Sequence, residues 1–140
     1  MRNAILLLLL VTNASRVLGL DHNQDRMRIL SWDLLASARY GLDPKEHAAF
    51  IVVDEWGELQ LSRWAWGAES LRASYHGKIP RGTLAIVHTH PMDLPNPSPD
   101  DIALARKLGM MVYVITRTSV TSTDGSRTTR IAYGDWNPHR

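Results

Sequence analysis

Apolar residues come in short dense runs separated by polar turn formers, and the periods within those runs predict alternating helices and strands. Residues 4–11 are apolar without a break, and residues 21–25 are polar, a disordered lead-in to the first helix. Ser31 is placed to cap a helix over 32–40, with Trp32, Leu35, Ala36 and Arg39 or Tyr40 on one face and Gly41 as its stop. Pro44 breaks the chain. Residues 48–53 form an apolar run suited to a buried strand, and Asp54, Glu55, Trp56 and Gly57 turn it into a second strand over 58–66. In that strand Trp64 and Trp66 share a face, which suits either core packing or the wall of a groove. Leu71, Ala73 and Tyr75 alternate, yet 67–76 scores equally as helix, and His76 beside Gly77 reads as a surface histidine.

The second half is more regular. Residues 83–88 are aliphatic and β-branched, a strand that Pro91 ends because proline cannot donate to a sheet ladder. A proline-rich loop over 92–97 acts as a stiff spacer. Ser98 then caps a helix over 99–108, with Pro99 at its first position, Ile102, Ala105 and Leu108 on its buried side and Gly109 as its stop. Residues 110–116 read as a strand in the middle of a sheet covered on both sides. The chain turns over 117–125, with Asp124-Gly125 as the hairpin signal, into a last strand over 128–133. The tail carries Trp136 and His139 without an evident role. Strands alternating with helices after an initial hairpin predict an α/β sandwich, a mixed sheet flanked by helices.

Chemistry concentrates where the 83–88 strand ends. Side chains two apart on a strand point to one face, so His88 and His90 can aim at a common point. Asp101 falls in the first turn of the following helix, directed back toward the loop. Either half alone has an ordinary explanation. A His-x-His pair is commonly surface or packing, and Ser98-x-x-Asp101 is a capping box. Their coincidence across a proline-braced loop points to a metal site with three protein ligands, which leaves tetrahedral zinc a fourth position for water.

Composition narrows this further. A chain of 140 residues with 44% hydrophobic content is long enough for one domain with a sizeable core, placed here at 21–140. There is no cysteine, which excludes thiolate zinc sites, disulfides, cysteine nucleophiles and the Pro-Cys-x-x-Cys ligand pair of zinc deaminases. The pI near 9.2 reflects a net charge of only +2. Arg2 and Arg16 supply that excess; without the first nineteen residues, fourteen basic residues face fourteen acidic ones, so no nucleic-acid partner is expected.

The motif His88-x-His90-Pro91, followed after seven intervening residues by Ser98-x-x-Asp101, resembles the JAMM signature of the MPN/JAB metalloproteases. The resemblance spans roughly residues 26–133. It implies a cytidine-deaminase-like (JAB/MPN) fold with zinc at the edge of the sheet. It also implies an upstream glutamate on the segment entering the first core strand, which points to Glu46; Glu55 and Glu58, at a solvated hairpin tip, rank below it. The implied reaction is hydrolysis of a peptide or isopeptide bond by a zinc-activated water, with Glu46 as general base and Ser98 stabilising the oxyanion. Two other readings stay open: a non-catalytic MPN scaffold, and a zinc amidohydrolase acting on cell-wall peptide or a sulfur-carrier adduct. The chain has no sizeable insertion of the kind that ubiquitin-chain-specific members use.

Arg2, the apolar run 4–11 and the small residues behind it have the layout of a secretory signal over residues 1–20, cleavable after Ala14 or Gly19. The run is too short to span a bilayer. Export to the periplasm or medium is therefore the expectation, with a cytoplasmic enzyme as the alternative, no stable membrane insertion and a peptide or protein as substrate.

Overall fold

A computed structural model of the protein describes residues 20–65, 75 and 77–140. The apolar run 4–11, Trp66, Leu71, Ala73 and His76 lie outside the described residues.

The elements are helix α1 (Leu20–Ser37), a 3-10 turn (Arg39–Gly41), strands β1 (Ala48–Val53), β2 (Leu59–Arg63) and β3 (Thr83–Thr89), a 3-10 turn (Pro91–Asp93), helix α2 (Pro99–Leu108), and strands β4 (Met111–Ile115), β5 (Ser119–Thr123) and β6 (Thr128–Tyr133). The six strands form one mixed sheet in the order β2-β1-β3-β4-β5-β6. Only β3 and β4 run parallel, and α2 is the crossover that a parallel pair requires. All other neighbours pair antiparallel.

Alternation of side chains divides the sheet into two cores. On one face Leu30, Trp32, Leu34 and Leu35 of α1 pack against Ala49, Ile51, Ala85, Val87 and Ile115. On the other, Ala105 of α2 meets Phe50, Ile86 and Val112. The expected α/β sandwich is the fold observed.

Four sequence expectations change. Residues 21–25 are the first turns of α1 rather than a lead-in, and Ser31 lies buried in mid-helix rather than at its cap. The apolar stripe of α1 begins only around Met27, so pattern alone misses a start that propagates from the docked half. Polar ties reinforce that docking, since Arg26 Nε donates to Leu59 O and Arg28 Nε to Trp136 O. At its other end α1 stops at Ser37, and Arg39 and Tyr40 take left-handed φ of 50° and 57°. The 117–125 turn contains a strand, β5, whose sequence SVTST hides its role behind hydroxyls. Two of those hydroxyls find local partners: Thr116 Oγ1 and Ser119 Oγ lie 2.8 Å apart, and Gly125 N donates to Thr123 Oγ1. Gly125, at φ +94°, passes so close to α2 that a Cβ there would meet Arg106 Cα at 2.7 Å. Finally, Trp136 is buried, stacks edge-on against Trp32 at 4.8 Å and donates to Thr116 O at 2.7 Å, closing the α1 face with the tail.

The α2 boundaries match the expectation residue for residue, with Ser98 as N-cap and Gly109 in the left-handed conformation as C-cap. Trp64 falls just past β2 and is half-buried against Phe50 and Tyr75. Among the described residues no helix is long and apolar enough to cross a membrane.

Candidate metal centre

β3 is third in the sheet order, and its C-terminal end delivers both histidines to the rim of the sheet. His88 shares the α2 face with its lateral neighbours Ala48 on β1 and Val114 on β4. His90 follows the strand and is held by its N–H to Ile115 O at 3.2 Å. Both imidazoles are buried, with ring centroids 4.8 Å apart. His90 Nδ1 lies 3.0 Å from the Leu94 carbonyl. A carbonyl only accepts, so in the neutral ring Nδ1 carries the proton and Nε2 presents its lone pair.

The N-terminus of α2 supplies the carboxylate. Ser98 Oγ accepts from Asp101 N–H, and Asp101 Oδ2 accepts from Ser98 N–H at 2.6 Å, a complete capping box. The cap fixes the carboxylate where it also meets the imidazoles: Oδ1 lies 3.0 Å from His88 Nε2 and Oδ2 lies 3.5 Å from His90 Nε2. Burial pushes the Asp101 carboxyl up, but His88, His90 and the Ser98 N–H more than offset it and hold the pKa far below the usual range. Asp101 is therefore an anion at neutral pH. Burial pushes His90 down, yet Asp101, the Leu94 carbonyl and Glu46 together raise it, so the surroundings favour positive charge at this point.

Glu46 approaches from the segment before β1, with Oε1 3.9 Å from His90 Nε2. One ligand atom from each of Glu46, His88 and His90 lies within 4.8 Å of the others. A reciprocal latch places this segment: His47 N–H donates to Thr89 Oγ1 at 2.9 Å, and Thr89 N–H returns to His47 O at 2.8 Å. His47 Nε2 in turn pairs with Asp43 Oδ2 at 2.9 Å.

The five residues singled out from sequence, Glu46, His88, His90, Ser98 and Asp101, are thus brought to one place. Glu55 and Glu58 are not. They sit exposed at the β1–β2 tip, beyond Val53, at the end of β1 opposite the Ala48–His88 pairing and about 20 Å away at strand rise. Sequence reasoning missed Thr89, His47 and the Leu94 carbonyl, which orient the others. Thr89, lying between the two histidines, was the available signal for the latch, but nothing in a sequence says that its hydroxyl reaches a residue forty-two positions earlier.

His88 Nε2 tests whether these residues suit an ion. It is buried and has no aligned hydrogen-bond partner, although Asp101 Oδ1 is only 3.0 Å away. An unsatisfied buried nitrogen costs about 1–3 kcal/mol, and a coordinated cation would supply the missing partner. Two imidazole nitrogens with carboxylate oxygens form a donor set that fits a divalent transition-metal ion.

A family model described as prokaryotic homologs of the JAB domain matches residues 24–131. No curated protein matches the sequence. The family match takes in α1 from residue 24, all of α2, the strands nearly to the end of β6 and every residue of the cluster, and the chain belongs to the prokaryotic JAB-domain family, whose fold it has and which includes JAMM peptidases.

Proposed function

We propose that the protein is a zinc-dependent hydrolase of amide bonds, peptide or isopeptide, in which His88, His90 and Asp101 hold the ion while Glu46 and Ser98 serve the reaction. The observation that carries this reading is the convergence of both Nε2 atoms on Asp101 at 3.0 and 3.5 Å, with Glu46 beside them. A bound zinc ion would supply Lewis acidity, polarising the scissile carbonyl and making water more acidic. Glu46 Oε1 lies 3.9 Å from His90 Nε2, beside the site, and we assign it the role of base. Its carboxylate takes the proton of the attacking water and passes it to the leaving nitrogen. Ser98 Oγ accepts from Asp101 N–H, so its own hydrogen remains to donate to the oxygen that gains negative charge.

Two substitutions separate ligand from base. Asp101→Asn should lose zinc, whereas Glu46→Gln should keep wild-type stoichiometry and lose roughly two orders of magnitude in rate. Zinc content and hydrolysis of a peptide mixture, measured on both variants, decide the matter. Zinc loss from Glu46→Gln with zinc retained by Asp101→Asn would make Glu46 the third ligand. A wild-type protein that takes up no zinc would favour a binding scaffold.

We also propose export through residues 1–20. N-terminal sequencing of protein from its own host should begin near Ser15 or Leu20, and a retained Met1 on cytosolic protein would exclude export.

A further inference from the structure

Glu46 belongs to the stretch Asp43-Pro44-Lys45-Glu46-His47, which joins the turn after α1 to the start of β1. The residues on either side of it are held by one carboxylate. Asp43 Oδ1 accepts from the Lys45 N–H at 3.0 Å, and Asp43 Oδ2 lies 2.9 Å from His47 Nε2. The first contact closes a turn of the kind aspartate forms with the residue two positions on, and Pro44 fixes a backbone angle inside it. In the second the imidazole donates, because an ionised carboxylate has only acceptors.

Both ends of the stretch are anchored. The Asp43 N–H donates to Ala38 O at 3.1 Å, and Ala38 is fully buried. His47 is buried as well, and its N–H and its carbonyl both bond to Thr89, the residue between His88 and His90. A chain of contacts therefore runs from the end of α1 through the Asp43 carboxylate to β3, and it brackets Glu46 on both sides. The Glu46 carboxylate stands with Oε1 3.9 Å from His90 Nε2. A glutamate side chain is long and flexible, so its carboxylate keeps a narrow range of positions only where the backbone beneath it cannot swing.

We propose that Asp43 is the positioning residue for Glu46: its carboxylate holds Lys45 and His47 and so sets where the glutamate stands relative to the two histidines. Asp43 touches neither the reacting atoms nor the cluster; it acts through the backbone on either side of Glu46. The inference rests on the hydrolase reading only in taking Glu46 as the base. A proton acceptor works at hydrogen-bond reach, and small displacements of such a group are costly in rate.

The test pairs structure with kinetics. Crystal structures of the metal-free wild type and Asp43→Ala should show the Glu46 carboxylate withdrawn from His90 in the variant, with His88, His90 and Asp101 in place. On a peptide that the zinc-loaded wild type cleaves, Asp43→Ala should keep the wild-type zinc content and KM and lose roughly tenfold to a hundredfold in kcat. Asp43→Asn, which retains an acceptor for the Lys45 N–H, should recover part of that loss, and it is read in the same way if Asp43→Ala does not fold. Added to Glu46→Gln, the Asp43 substitution should cost nothing further, since a residue that acts through Glu46 has nothing left to position. A purely structural role would lower the residual rate again. That second loss, a fall in zinc content, or a Glu46 carboxylate that stays in place overturns the assignment. Withdrawal of Glu46 in a protein whose wild type cleaves no peptide leaves the positioning role standing and overturns the hydrolase reading. A wild type that cleaves, beside an Asp43→Ala variant with unchanged kcat, does the reverse.

Discussion

Against the α1 face of the sheet lie Leu30, Trp32, Leu34 and Leu35, all buried, with Trp136 closing over Trp32 from the tail. Against the α2 face, the helix contributes one fully buried residue, Ala105. The difference continues in the polar atoms. Trp64 Nε1, His88 Nε2 and Thr121 Oγ1 are the buried side-chain polar atoms without a hydrogen-bond partner among the described residues. Strand register places all three on the α2 face in one row across the sheet, Trp64 beside Ala48, Ala48 opposite His88, His88 opposite Val114, and Val114 opposite Thr121. One face of the same sheet is a satisfied apolar core. The other keeps its unsatisfied groups in line with the candidate metal centre, as expected where local rules yield to a site.

That contrast can be broken from either side. The largest effect should come from the double variant His88→Ala, His90→Ala, which removes both imidazoles: from about one zinc per chain in the wild type the content should fall to background, while the far-ultraviolet circular dichroism of the sheet persists. Retention of zinc by that variant would show that the centre lies elsewhere. The opposite substitution, Leu35→Ala on the α1 face, should cost about 2–5 kcal/mol of stability through the cavity it leaves. Its zinc stoichiometry should match the wild type under native conditions; denaturant titration and metal analysis on the same preparation check both halves. If zinc were lost there while the protein stayed folded, the two faces would be coupled. Ser98→Ala sharpens the comparison at a residue that belongs to fold and site at once. Loss of the cap should cost on the order of 1 kcal/mol, and loss of an oxyanion donor about a hundredfold in rate. A rate that barely moves beside a lowered melting temperature would leave Ser98 as a cap alone.

The second half of the chain was more legible than the first because its signals are local. Pro91, Ser98, Pro99 and Gly109 each fix backbone conformation within one or two residues, and they delimited α2 to the residue. His88 and His90 converge because a strand repeats every two residues, and Asp101 faces them because a capping box orients its third residue; both facts are contained in spacing. The expectations that failed depend on partners distant in sequence. The early start of α1 is fixed by docking, with Arg26 and Arg28 reaching Leu59 and Trp136. β5 is a strand because β4 and β6 lie on either side of its hydroxyl-rich sequence, and isolated propensity for such residues is weak. Glu46 could be named from sequence only by resemblance. The tertiary structure places it, through two hydrogen bonds between His47 and Thr89 that join the start of β1 to the end of β3. Trp64 likewise showed only a period of two, and its N–H, without a partner among the described residues, became visible once β2 was laid beside β1. Sequence by itself determined which residues can serve as ligands and the backbone geometry around them, since those follow from short-range sterics and hydrogen bonding. The tertiary structure alone decided which carboxylates stand beside the two histidines, because those contacts are set by strand register between segments that approach only when the sheet forms.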